Sequence, residues 1–257
     1  MDFDLMSFLG KQIDELMEPI LEQNADWYKL MYELNQFANN LRIRMAINQD
    51  NLAEVVTAAL LIKATNTFQS VILLSRKGLA ADCGTLTRSL LETVIPLKLI
   101  AQEQGFAWDF VRYEKRKRQK LINVILKDSD TFGEIANQVS EGIRDSLKKE
   151  IEEENIPELK IEDLAKKAGM TTFYQLAYRQ LSEDAHTTIW SLNRYLNTDQ
   201  EGNVTELDNG PQIFGAADFR TAAYCILIAL DSANEIFKLE SDSELKGFET
   251  RLLAIHL

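Results

Sequence analysis

Glycine and proline are scarce in this chain: 11 Gly and 4 Pro among 257 residues. So few breakers leave little material for tight turns, and long helices are the natural alternative. Cysteine is scarcer still. Cys83 and Cys225 each sit in an apolar helical pattern and no secretory signal precedes them, so both read as buried thiols and not as a disulfide or metal ligands. There is no CxxC, HExxH or paired His/Cys spacing, hence no zinc signature and no expected metal or other cofactor. GxGxxG, GK[ST] and GxSxG are missing too, which leaves nucleotide-cradle and hydrolase-elbow chemistry without support. No run approaches ~18 uninterrupted apolar residues, so no membrane span is expected. The start, "MDFDLMSFLGKQIDELMEP", is acidic and amphipathic. It lacks the basic, apolar and small-residue regions of a signal peptide, and a cytoplasmic location is expected.

Positive charge is also short. Lys and Arg number 28 against 40 Asp and Glu, for a net charge of −12. A surface that coats duplex DNA is basic, so any nucleic-acid contact here needs a local patch. "VRYEKRKRQK", residues 111–120, is that patch, with six Lys/Arg against one Glu and Tyr113 inside it. Lys115, Arg116, Lys117, Arg118 and Lys120 are its candidate RNA-binding residues.

What is present in quantity is apolar 3/4 spacing. It predicts helices over about 3–17, ending near Pro19, and over 24–47, 51–77, 79–104 (bent or shortened at Pro96) and 106–127. A charged helix with a narrow apolar stripe comes next, over 131–155. A short helix ends at Gly169; the next, over 172–197, precedes a loop at 197–212 in which Gly202 fits a short hairpin. Helices over 216–238 and 243–255 close the chain. The class is therefore all-α, an antiparallel helical bundle with additional N- and C-terminal helices. Residues 1–50 read as an N-terminal helical extension and 51–257 as the bundle domain.

Two helices carry unusual polar faces. In "GLAADCGTLTRSLLETVIPLKLI", Asp82, Thr85, Ser89 and Glu92 follow 3/4/3 spacing, and Arg88 lies four residues before Glu92. Polar groups on an otherwise apolar helix are costly unless satisfied. Two readings stand: a buried network that fixes packing, or one wall of a cleft. In "AYRQLSEDAHTTIW", Arg179 and His186 are seven residues apart, about 20° short of two full turns, and so share a face roughly 10 Å apart along the axis. Ser182 and Glu183 lie between them, and Trp190 and Asn193 continue the face. An imidazole exchanges protons near neutrality, and a guanidinium grips phosphate through paired hydrogen bonds. The pair fits RNA cleavage without a metal. The 2′-OH attacks, His186 moves protons, and Arg179 stabilises the phosphorane.

"SVILLSRKGLAADCGTLTRSLLETVIPLKLI" (70–100) together with "YRQLSEDAHT" (178–187) resembles DUF5677, a family of uncharacterised bacterial helical proteins, over roughly residues 50–200. The stretch from Arg179 to His186 is also similar to the R-x(4–6)-H motif of the HEPN superfamily. That resemblance implies a HEPN-like bundle and Arg179 and His186 as the catalytic pair of a metal-independent ribonuclease. Gln180 stands directly after the arginine, where HEPN motifs place a polar residue. The resemblance also implies support from Glu92 or Asp82 on an earlier helix, a homodimer with a composite cleft, and a place in toxin–antitoxin or antiphage-defence systems. Ser182, Glu183 and Arg88 complete the supporting set. The partners expected are an RNA substrate, a second copy, and an antitoxin or other protein, with no membrane. The rival expectation is a non-catalytic helical interaction or scaffold module, for which the charged 131–155 segment suits a partner surface.

Overall fold

The most apolar stretches of the chain become its three central helices. The computed structural model describes residues 6–255, apart from the Trp190 side chain. In it α3 (Leu52–Ser75), α4 (Ala80–Gln102) and α12 (Ala216–Phe237) pack on one another. α2 (Ala25–Arg44) and α13 (Asp242–Ala254) cover α12 on one side, and α10 (Thr171–Ala185) lies along α4. α1 (Gln12–Gln23) precedes this group, and α9 (Ile161–Lys167) packs on α4 and α10. α5 (Phe106–Lys127) leads into the short α6 (Ser129–Phe132) and α7 (Glu134–Asn137) and then α8 (Glu141–Glu153). After α10 come α11 (Ile189–Leu192) and a two-stranded hairpin, β1 (Leu196–Thr198) antiparallel to β2 (Val204–Leu207). The fold is all-α with this one small sheet among the described residues.

Asn51 starts α3 by accepting hydrogen bonds from the Ala53 and Glu54 backbone N–H groups, as an N-cap does. Gly78 ends the turn after it. Its φ is +72° and a Cβ there would stand 2.4 Å from the Pro211 Cβ, so only glycine serves. The Gln212 N–H donates to the Gly78 carbonyl at 2.7 Å, which fastens the 197–212 loop to the α3–α4 corner. The core behind it includes Leu61, Phe68, Leu90, Leu91, Ile95 and Phe219, all essentially without solvent contact. Phe219 stacks on Trp27 at 5.9 Å and meets Tyr28 and Phe214 edge-on. α2 therefore contributes to the same core as the helices beyond residue 50.

Several expected boundaries shift. The part of the expected 3–17 helix that falls on residues 1–5 lies outside the described residues. The remainder forms a 3₁₀ turn at Ser7–Leu9 and then α1, which runs through Pro19. Pro96 is likewise inside α4. A proline removes one helical hydrogen bond but keeps a helical φ; Pro96 is held in the core of α4, and Pro19 lies on the exposed face of α1. The 131–155 helix is broken at Gly133 (φ +50°) and again before Ser140, which caps α8. Leu147 and Ile151 of α8 pack with Ile122 and Ile156 in a small cluster apart from the main core. The 172–197 helix stops at Ala185. Thr188 and Ser191 exchange side-chain to backbone hydrogen bonds at 3.1 and 3.0 Å, a capping box that starts α11 instead of extending α10. Residues 187–197 therefore do not continue the α10 face. The hairpin around Gly202 (φ +85°) forms as expected.

Both cysteines are free and buried. Burial pushes the Cys83 thiol up to about 12 and raises the Cys225 thiol as well, so neither forms a thiolate readily. One helix among the described residues, α3, is long and apolar enough to cross a membrane by length and composition, and half of that window is buried inside the protein.

Gly84 sets how closely α4 and α10 approach. A Cβ at this position would lie 2.0 Å from Asp184 Oδ2 and 2.8 Å from its Cγ. Alanine in a helix interior normally stabilises by ~1 kcal/mol relative to glycine, but overpacking costs roughly 1–3 kcal/mol. Gly84→Ala is expected to lower the melting temperature. In an Asp184→Ala background, which removes the carboxylate but keeps a Cβ 3.0 Å away, the same substitution should lower it by less. Thermal unfolding of the four proteins checks the direction and the difference between backgrounds.

Candidate functional site

The site is built where α4 passes α10. Thr85 Oγ1 donates to the Asp184 carbonyl at 3.2 Å. One turn further along α4, Arg88 reaches across the seam with its side chain only 16% exposed. Its Nε donates to Glu92 Oε1 at 3.2 Å, its Nη2 to the Tyr178 hydroxyl at 2.5 Å, and its Nη1 lies 3.0 Å from His186 Nε2. The guanidinium also lies over the Tyr178 ring, 4.3 Å from its centroid. A guanidinium only donates. The contact is a hydrogen bond in the tautomer whose Nε2 accepts.

α10 presents these groups through its ending. The His186 N–H still bonds the Ser182 carbonyl at 3.1 Å, but the residue turns extended at φ −120°, ψ 140°. That turn leaves its ring exposed at the rim of the seam. Ser191 Oγ donates to the His186 carbonyl at 3.1 Å, and Thr188 Oγ1 donates to Glu183 Oε2 at 2.8 Å. The turn after α10 is thus braced on both flanks. Tyr178 stacks on Tyr174 with centroids 4.5 Å apart. Burial, with the neighbouring Tyr178 hydroxyl, raises Tyr174 to about 12.

The structure separates the expected residues. His186, Arg88 and Glu92 come together. Arg179 is exposed, and its side chain makes no hydrogen bond or ion pair among the described residues. Its spacing keeps it within about 20° of His186 around the α10 axis, but the arginine that touches the imidazole is Arg88. Ser182 donates to the Tyr178 carbonyl at 2.5 Å and so serves the helix, Glu183 braces Thr188, and Gln180 is exposed. Asp82 stands about 120° around α4 from Arg88. It lines a separate crevice of about 100 Å³ beside Leu79, Gly210 and Gln212. The Trp190 side chain lies outside the described residues, and Asn193 falls in a 3₁₀ turn off the α10 face.

The basic run is largely spent on the chain itself. Lys115 pairs with Glu150 and Glu154, Lys120 with Glu158, and Arg116 donates to the Ile156 carbonyl. Lys117 lies over the Tyr113 ring at 5.5 Å, and both it and Arg118 are exposed. α5 packs on α3 and α8; the ion pairs of its basic run reach the acidic end of α8 and the connector beyond it.

Spacing in the sequence gives an uneven signal for three further residues at or near the seam, Tyr178, Asp184 and Asp218. Tyr178 sits beside Arg179 in the motif, but helical spacing does not say which neighbouring helix it meets. Asp184 does leave a signal, because it follows Ala177 and Leu181 on the apolar side of α10. Its side chain is 8% exposed and lies 2.6 Å from Arg194 Nη2. Burial holds its pKa above the ordinary aspartate value, Arg194 draws it down, and Asp218 and Glu183 push it up. Asp218, in the first turn of α12, accepts from the Gly215 N–H at 3.2 Å and is also raised by burial. Among the described residues no group of three or more His, Cys, Asp or Glu is placed to hold a metal ion.

A family model described as "Family of unknown function (DUF5677)" matches residues 54–204, more than half of the chain. No curated protein and no solved structure matches.

The raised Asp218 carboxyl gives a pH-dependent expectation. A carboxyl whose folded-state pKa lies above its unfolded value favours the folded state below the unfolded value and loses that contribution as pH rises through the folded one. Asp218→Asn removes the charge and keeps an acceptor for Gly215. Its melting temperature relative to wild type should therefore climb between acidic and neutral pH. A difference that stays flat across that range would contradict the burial effect.

Proposed function

This chain belongs to DUF5677, and we propose that it is a metal-independent, HEPN-like endoribonuclease. The observation that carries the proposal is the 3.0 Å contact between Arg88 Nη1 and His186 Nε2 at an exposed rim. An arginine and a histidine in direct contact can meet the same phosphodiester, one as a charge clamp and the other as a proton carrier. In the proposed reaction the 2′-oxygen forms a bond to phosphorus and the bond to the 5′-oxygen breaks. His186 takes the 2′-OH proton, and the leaving 5′-oxygen receives one from the imidazolium so formed or from water. Arg88 and Arg179 flank it and neutralise the phosphorane. Glu92 and Tyr178 fix the Arg88 guanidinium, which supports precise placement of the clamp. DNA lacks the internal nucleophile and would not react. The HEPN resemblance supports an RNA substrate, a toxin or antiphage-defence setting and an antitoxin or other protein partner. The exposed Lys117 and Arg118 are the part of the basic run still open to RNA.

One observation favours a second reading, a non-catalytic interaction module. Lys115, Arg116 and Lys120 are engaged within the chain, which leaves a weak electrostatic footprint for RNA on a protein of net charge −12.

Purified protein should cleave single-stranded RNA in the presence of EDTA, leave the deoxy analogue intact and release 2′,3′-cyclic phosphate ends. His186→Ala and Arg88→Ala should each slow cleavage by ~10²–10³-fold, and Arg179→Ala by roughly tenfold or more, with unchanged circular dichroism. Equal cleavage by wild type and His186→Ala would mark a contaminating nuclease and defeat the proposal. An inert wild type that still captures a protein partner would support the second reading.

A further inference from the structure

α3 carries a second stripe that the core does not use. Val55, Ala59, Ile62, Asn66, Gln69 and Leu73 follow 4-3-4-3-4 spacing, which keeps all six within about 40° of one line along the helix. The core takes the opposite side, through Leu61, Ala64, Phe68 and Val71. On the outer line Val55 is 38%, Ile62 44% and Leu73 65% exposed, Ala59 and Asn66 are exposed and Gln69 is half-buried. Alternating steps of four and three form the seam of a two-helix pair. None of the six residues is charged, in a chain where charged residues make up 26%.

We infer that α3 pairs antiparallel with α3 of a second copy of this chain along this stripe. The stripe is complementary to itself in that direction. When Asn66 lies beside Gln69 of the second copy, two-fold symmetry repeats the amide pair and sets Ile62 beside Leu73 in the layer on either side. Ala59 then faces Arg76, whose long stem passes a methyl group without crowding. The amides are also matched in their hydrogen bonds. Gln69 Nε2 already donates to Asn35 Oδ1 at 2.9 Å, so its oxygen accepts from the Asn66 amide of the other copy. An unrelated helix would have to supply both amides in this register, whereas a second copy supplies them by symmetry. A buried polar pair of this kind fixes register and orientation. One helix seam is at the small end of interface sizes, so a micromolar dimer is expected.

The pairing is independent of the proposed reaction. Lys63 Nζ donates to Thr93 Oγ1 across the α3–α4 groove, and Arg88 is five residues earlier, about 140° around α4. Each copy keeps its own Arg88–His186 site away from the seam, unlike the composite cleft that the HEPN resemblance implies.

Analytical ultracentrifugation of the full chain should show a dimer at tens of micromolar. Leu73→Glu, at an exposed position, should weaken it at least tenfold with unchanged circular dichroism. Asn66→Cys treated with a short bismaleimide should give a covalent dimer. Gln180→Cys on α10 should give only the single adduct, and the buried Cys83 and Cys225 should stay unlabelled. A monomer at these concentrations, a dimer indifferent to Leu73→Glu, or equal cross-linking at both cysteine positions would overturn the inference. RNA cleavage by Leu73→Glu should match wild type per chain, so loss of the dimer and failure of the ribonuclease proposal are read separately.

Discussion

Gly84 has no side chain, and the Asp184 carboxylate fills the space that one would occupy. This close approach fixes the distance between α4 and α10 and, with it, what each residue further along the seam can reach. Arg88 is one turn beyond Gly84 and Glu92 one turn beyond that. Because the helices run in opposite directions, Arg88 falls between Tyr178 and His186 of α10 and touches both. Asp184 is held in turn by Arg194 from the turn before the hairpin, so the segment after α10 is anchored at the same point. With a wider seam the Arg88 guanidinium would face solvent, and the turn that exposes His186 would lose its anchor.

Charge distribution obeys a similar logic. The chain is acidic, and two cations of the basic run, Lys115 and Lys120, find carboxylates close by. The Lys115 and Lys120 ion pairs are partly exposed, and each contributes little to stability. Their effect is on the field: Glu150, Glu154 and Glu158 offset the potential that residues 111–120 would otherwise project toward a polyanion. A basic run read along one helix overstates the patch when the neighbouring helix brings acids to it. Glu150 and Glu154 come from the "KKEIEEEN" stretch that ends α8, and Glu158 from the connector after it.

The central helices were legible because their periodicity is strong and their caps are local. Asn51, Gly78 and the apolar spacing of α3, α4 and α12 all lie within a few residues of the elements they define. The end of α10 was less legible. Apolar residues recur past His186 at helical spacing, and only the Thr188–Ser191 capping box, a local alternative to helix extension, breaks the pattern. The partner of His186 was least legible. Spacing within α10 favours Arg179, seven residues away, because spacing reports one helix only. Arg88 is 98 residues away in sequence, and its position depends on the glycine contact between helices. The polar face of α4 was visible as an anomaly, and it resolves into two sites: Arg88 and Glu92 at the seam, and Asp82 at a separate crevice.

The two arginines near His186 differ in what they must give up to bind an anion. Arg88 has a partner at each nitrogen: Glu92 takes its Nε, Tyr178 one terminal nitrogen and His186 the other, which leaves one N–H on each terminal nitrogen. A phosphate that takes Nη1 away from His186 gives up the weakest of these contacts, since the carboxylate bond is charge-assisted. Moving Nη1 from His186 onto a phosphate oxygen would free the Nε2 lone pair at the moment the substrate is seated. Arg179 gives up only water. Under the proposed reaction the exposed Arg179 suits first capture of the backbone, and Arg88 suits the step in which the base becomes available. This division of labour rests on Glu92 and Tyr178, which together draw the guanidinium back to the seam after product leaves.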